Sequence, residues 1–413
     1  MLKQIIVVFF LLITGVVVAQ EGTTSPYSYY GIGTIKFKGT AENRSMGGIT
    51  VLSDSIHLNL SNPAGVADLR LINYTIGASH KRTSFQTESQ KANATATSVD
   101  YIAIGVPMGK FGASFGLIPT TSVGYQIEST TDDVVTRYSG SGGLNKVFFN
   151  LGYKITDEFN VGVDVNYNFG SVENTTYSQR VGSLLGAQEF LRSELSGFSF
   201  NLGATYKTMV TDDLQLASAV TYVPETDFKS VNQKDVATVL EIPSGGVRPI
   251  DLRSLTVADT EFTFPSKVSL GLGIGKPKSW FLGAEYASLK TSNLNDRTNT
   301  ATQFNYEDAS SFKLGGFFIP NYNSIGNFWQ RVVYRGGIRY EETGIVLNGE
   351  KINEFGISFG VGLPVGRLFS NVNLGFELGR RGTKDFGLVQ ENFFNTFLSL
   401  SLNDKWFEKR YYD

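Results

Sequence analysis

The chain has 413 residues, with 36 basic and 38 acidic side chains for a formal net charge of -2, 45 Gly, 31 Phe, 19 Tyr, 3 Trp, two His and no Cys. The missing Cys exclude disulfides, Cys-ligated zinc, iron-sulfur clusters, thiol catalysis and a lipoprotein anchor, so no metal site or cofactor is expected. A charge this balanced sets up no field for nucleic acid, and a 41% hydrophobic fraction is too low for a polytopic helical membrane protein.

In chain order, residues 1 to 19 read as a secretory signal: Lys3 is the positive n-region, Ile5 to Leu12 an apolar run, and Val17 and Ala19 small residues ahead of a cleavage point after Ala19. A membrane anchor helix is the rival, but Thr14-Gly15 interrupts the run and no stop-transfer charges follow. Residues 20 to 69 alternate poorly and hold Pro26, Gly31, Gly33, Gly47, Gly48, Pro63 and Gly65. From 70 to 403 the sequence falls into segments of strict period two. In residues 159 to 170, Phe159, Val161, Val163, Val165, Tyr167 and Phe169 share one face, and Asn160, Gly162, Asp164, Asn166, Asn168 and Gly170 the other. The same split recurs at 147 to 155, 198 to 207, 355 to 363 and 372 to 379.

Fourteen such strands are expected, at 70 to 82, 98 to 107, 111 to 119, 135 to 155, 159 to 171, 196 to 210, 213 to 224, 262 to 275, 279 to 290, 310 to 319, 331 to 341, 353 to 364, 369 to 381 and 394 to 403. Short turns alternate with longer polar segments, near Lys81 to Thr97, Thr120 to Val134, Ser171 to Glu194, Pro224 to Glu261, Lys290 to Ser310, Glu342 to Asn353 and Gly382 to Glu391. Long strands with alternating short and long connections fit a transmembrane antiparallel β-barrel rather than a sandwich, because lipid cannot satisfy backbone groups and only a closed barrel does. Tyr153, Tyr206, Tyr222, Trp280, Tyr286 and Tyr340, near strand ends, would form interface girdles. The fold class is therefore all-β. Residues 20 to 69 are expected to fold into the lumen as a hatch, and 404 to 413 to form a periplasmic tail.

Charged side chains fall on the polar parity: Lys154, Asp164, Lys207, Glu285, Lys313, Arg335, Arg339, Glu377 and Arg381. Facing lipid, a base at the midplane would cost about 2 to 4 kcal/mol, so these belong in the lumen. There Arg335 and Arg339 could hold a ligand carboxylate. Alternatively the charges pair with one another and with Asp54, Asp68 and Arg70 to fix the hatch.

The stretch LNLSNPAGVADL, with Asn62-Pro63-Ala64 just ahead of the first strand, resembles the FadL/TodX family of outer-membrane hydrophobic-compound transporters. GGLNKVFFNLGYKI and FPSKVSLGLGIG are also similar to that family, and SPYSYYGIG and LSLNDKWFEKR to its Bacteroidota variant. The resemblance implies a monomeric barrel with an N-terminal hatch and a sideways exit at a kink in the third strand. That strand carries Gly112, Gly116 and Pro119, which weaken its ladder.

GASFG and GISFG imitate a nucleophile elbow, but Ser114 and Ser358 sit inside alternating strands. GLGIG lacks the helix a dinucleotide site needs. His57 and His80 have no Ser or Asp constellation nearby in sequence. No enzyme is expected. The chain reads as an outer-membrane barrel, in contact with lipid and lipopolysaccharide, for passive uptake of hydrophobic or amphiphilic small molecules. The alternatives are a simple porin, or an accessory subunit docking other outer-membrane or periplasmic subunits, as in the Bacteroidota protein-secretion translocon. For the latter, 224 to 261 and the tail Lys405 to Tyr412 are candidate docking surfaces.

Overall fold

The computed structural model describes residues 22–242, 246–294, 304–366 and 370–405, so the expected leader and most of the expected tail lie outside the described residues. Fourteen antiparallel strands close into a barrel. They are β1 (Ile72–Gln86), β2 (Lys91–Met108), β3 (Phe111–Pro119 and Thr121–Thr131), β4 (Val134–Lys154), β5 (Phe159–Arg180), β6 (Leu185–Met209) and β7 (Gln215–Val223 and Thr226–Ile242). The second half comprises β8 (Gly246–Leu255, Thr260–Phe264 and Lys267–Lys276), β9 (Trp280–Leu289), β10 (Phe304–Tyr306 and Ala309–Phe318), β11 (Val333–Leu347), β12 (Glu350–Val365), β13 (Ser370–Arg381) and β14 (Gln390–Asp404). Each pairs with its sequence neighbour, and β14 returns to β1, with Ile72 opposite Asp404 and Gln86 opposite Gln390. Closure pairs the last strand with the first, which removes the two open edges a flat sheet would leave.

The alternation decides which face is which. In β5, Val165, Tyr167 and Phe169 are exposed on the outer wall, while Asp164, Asn166 and Asn168 are buried inside. Phe198, Phe200 and Leu202, Leu270 and Leu272, and Phe355, Ile357 and Phe359 continue the outer belt. Among the expected girdle residues, Tyr206, Tyr222, Tyr286 and Tyr340 are exposed.

All fourteen strands lie where the periodicity puts them, but most of the segments read as long polar loops are strand. β3 resumes at Thr121 and turns back at Asp132-Asp133, both with positive φ; β11 and β12 meet at Asn348-Gly349, also both positive. β5 runs to Arg180 and β6 begins at Leu185. Beyond the membrane both faces meet water or other protein, so polar residues occupy both parities and the alternation fades while the ladder continues. The result is a tall wall: β6 has 25 residues, whereas β9 has 10. Conversely, the connection from Phe318 to Val333, read as a short turn, holds a turn of 3-10 helix, Phe328–Gln330.

Two irregularities shape the interior. Gly77 of β1 faces Tyr101 of β2 and Ala78 faces Val99, so Asp100 is an extra residue in β2 and both Asp100 and Tyr101 turn inward. In β3 the ladder to β2 ends at Leu117 opposite Ile102. After Thr120, β3 keeps its pairing with β4, where Gly142 and Gly143 have positive φ, but it no longer pairs with β2. Its new partner is a two-residue strand of the N-terminal segment, Thr34–Ile35, opposite Ser122 and Thr121.

Candidate functional site

Residues 22 to 71 contact inward-facing side chains all round the ring. Asn62 caps the 3-10 turn Pro63–Asp68: its Oδ1 accepts from the Ala64 N–H at 3.0 Å, and its Nδ2 donates to the carbonyls of Ala204 at 3.2 Å and Val220 at 3.4 Å. The wall opposite is bare. A Cβ on Gly162 would lie 2.4 Å from the Pro63 carbonyl carbon, and one on Gly203 2.2 Å from Asn62 Oδ1. Asn62-Pro63-Ala64 thus docks on a glycine patch of β5 and β6.

Across the ring, Thr50 donates from its N–H and hydroxyl to Glu285 at 2.7 and 2.8 Å, and Lys313 reaches the same carboxylate at 2.8 Å. Lys207 pairs with Asp68 at 2.5 Å, and Lys154 lies 3.9 Å from it. Asp164 faces Lys146 at 3.8 Å.

The densest assembly lies between β11 to β14 and the helical turn Ala41–Arg44. Arg339 touches Glu341, Glu354 and Glu377. Arg381 donates from Nε to Glu354 at 2.6 Å, and Lys38 spans Glu341 at 2.8 Å and Glu354 at 2.6 Å. Arg44 joins Asp100 at 3.0 Å to Glu377 at 3.5 Å and lies over the Phe397 ring. Arg335 donates to Asn373 at 2.9 Å. Charges this far from water hold only when paired, and their pairs cross-link wall and segment.

The expected site residues sort unevenly. All the charges read from parity point inward; Arg339 is engaged by carboxylates of the chain itself. Of the three segment charges, Asp68 meets the wall, Asp54 pairs with His57, and Arg70 forms no ion pair among the described residues. Burial would raise the Asp54 carboxyl, but His57 beside it and the N–H groups of Ile56 and His57 hold it down at about 2. Burial lowers His57 and Asp54 more than offsets it, leaving the imidazole above its ordinary value. This corrects the sequence reading of His57, since the Asp lies three residues away and bonds Nδ1 at 2.7 Å. Gly112 lies in regular ladder, where a Cβ would meet the Val66 carbonyl at 2.1 Å, and Gly116 packs on the Ile102 carbonyl. Both serve close approach, and the interruption itself follows Pro119. Ser114 and Ser358 are strand residues, Ser358 Oγ accepting from the Gly47 N–H at 2.9 Å.

Asp100, Arg44 and Lys38 escaped the sequence reading because the bulge reverses parity and the segment has no period. Inward aromatics did leave a signal: Tyr101, Tyr125, Phe397 and Phe393 each stand directly opposite a glycine, Gly77, Gly140, Gly375 and Gly379, and fill the space it leaves.

Two cavities adjoin the charged assembly among the described residues. The larger, about 310 Å³, is lined by Ile32, Phe37, Phe264, Leu289 and Ile352 together with Lys38, Lys267 and Lys313. The smaller, about 60 Å³, is bordered by Ser98 and Asp100 of β2 and Ser122 of β3, at the place where those strands part. Thr34, Ile35, Lys38, Arg44, Arg339, Glu377 and Arg381 border both.

Solved structures with this fold include the toluene transporter TbuX of Ralstonia pickettii (16% identity, 88% of this chain and 98% of that one, TM-score 0.58). The toluene transporter TodX of Pseudomonas putida (15%, 88% and 96%, TM-score 0.57) and a FadL homologue of Pseudomonas aeruginosa (13%, 90% and 98%, TM-score 0.56) share it too. At such identities the likeness concerns the fold. No curated protein matches in sequence. The profile of the BamG family, however, matches residues 1–413 from end to end, and the chain therefore belongs to the BamG family.

Proposed function

We propose that this chain is an outer-membrane barrel, delivered after cleavage following Ala19, that passes hydrophobic or amphiphilic small molecules without an energy source. The observation carrying the proposal is the pair of adjoining cavities, the smaller of which lies at the place where β2 and β3 lose their shared ladder. Residues 22 to 69 act as the hatch. A ligand enters the apolar cavity, crosses at Thr34, Lys38 and Arg44, and leaves sideways. The toluene transporters of the same fold support this reading by analogy of architecture. The test is a cysteine pair at Ser98 and Ser122: in proteoliposomes, oxidation should stop uptake of a hydrophobic probe and reduction restore it. Uptake unchanged by the cross-link would sink the sideways route, and no binding of any hydrophobic ligand would sink transport altogether.

A second reading, a docking subunit, is favoured by Gly246–Leu255. Among the described residues, this outer part of β8 pairs only with β7, and it exposes Ile250, Leu252 and Leu255. Such an edge is a template for strand addition by a partner. Purification in gentle detergent yielding only monomer would count against it.

A further inference from the structure

The small cavity is lined by six cations, Lys36, Lys38, Arg44, Lys81, Arg339 and Arg381, but by only three acids, Asp100, Glu354 and Glu377. All three acids are committed: Arg44 holds Asp100, Arg339 and Arg44 hold Glu377, and Arg381, Arg339 and Lys38 hold Glu354. Among the described residues, Lys36 and Lys81 have no carboxylate within 4 Å and no hydrogen-bond partner for their ammonium groups. Lys81 has only the Phe393 ring, 4.2 Å from Nζ. Burial holds the Lys36 ammonium below its ordinary value. Two partly buried ammonium groups facing one cavity are costly without a counter-anion.

The opening beside them faces sideways. Among the described residues, β2 from Lys91 to Tyr101 pairs only with β1, and Val99, Ile102 and Leu117 around the parting are exposed apolar residues on the outer wall. A ligand reaching the lysines through this parting therefore comes from an apolar surround. The volume of about 60 Å³ matches one small anionic group.

We infer that Lys36 and Lys81 form a binding site for the phosphate of a phosphorylated membrane lipid, whose acyl chains stay outside in the parting between β2 and β3. A phosphomonoester carries about -1.5 to -2 charge at neutral pH and matches two lysines. Arg44, whose buried Nε lacks a partner among the described residues, stands beside it as a further donor. The site rests on the parting of the wall and holds whether or not the barrel carries a cargo.

The test uses the full mature chain in dodecyl maltoside, titrated with dodecyl phosphate, with dodecanol as the uncharged chain and inorganic phosphate as the chainless anion. Dodecyl phosphate should bind, and Lys36→Met and Lys81→Met should each weaken it by about tenfold or more. Lys36→Arg and Lys81→Arg should keep most of the affinity, which separates charge from misfolding; the surface variant Arg253→Met should match the wild type. Inorganic phosphate binding as tightly as dodecyl phosphate would overturn the lipid assignment. Equal binding of dodecanol, or unchanged affinity in the double methionine variant, would overturn the anion site itself. Loss of hydrophobic-probe uptake in proteoliposomes is a separate readout and bears only on the transport proposal.

Discussion

The Asn62 side chain is held at three points, two of them on the barrel wall, and the residue starts the turn that carries Asp68 to Lys207. Asn62→Ala should remove the cap and both wall bonds, destabilising the segment by about 1–2 kcal/mol, seen as a lower urea midpoint and faster trypsin cleavage within residues 22 to 71. Gly162→Val should do more damage, because the clash is with Pro63 backbone; the check is loss of heat-modifiable mobility on gels. The Asp54–His57 pair gives a pH signature. The Asp54 contribution is present above its ordinary value of 3.8 and lost as pH falls toward 2. That of His57 is fully present below 6.5 and lost as pH rises through its elevated native value. Protease resistance of the segment should therefore peak between about pH 4 and 6.5 by about 1 kcal/mol or less, since Asp54 is nearly half exposed. His57→Gln should flatten the alkaline side. At this scale, parity sufficed to place the wall charges, since a strand offers only two directions. It could not place Lys38 or Arg44, which lie in irregular chain, nor Asp100, which a single inserted residue turns inward.

At the level of elements, β2 joins two environments. Amides from Ile102 to Gly105 sit between two neighbours, whereas those from Lys91 to Tyr101 have β1 alone among the described residues. Hydrogen exchange resolved along β2 should show fast exchange on the outer half and strong protection on the inner half. Uniform protection would mean that the two strands stay joined. The number and order of strands were legible because lipid enforces the alternation over each crossing. Their outer ends were not, since the strands there are held by ladder bonds that leave no pattern in the side chains. The wall of β4 to β8 rises accordingly: 25 residues of β6 span about 80 Å along the strand, well over what a tilted crossing of the hydrocarbon requires.

For the whole molecule, the proposed hatch would make the difference between a filled barrel and a pore. Deleting residues 22 to 69 should convert a silent protein into one with steady conductance in planar bilayers, as expected for fourteen strands around an emptied lumen. Silence after deletion would show that other groups block the lumen. A 41% hydrophobic fraction suits a wall of which only alternate residues meet lipid.

The pairing of β1 with β14 imposes an order of assembly. The wall is sealed by its first and last strands, and Thr34–Ile35 substitutes for β2 beside Thr121 and Ser122 of β3. The third strand can take its final path only once the filling is in place, and the ring can shut only when the last strand arrives. Maturation should therefore pass through an open shell already wrapped around its contents, with unpaired β1 and β14 edges as the final seam.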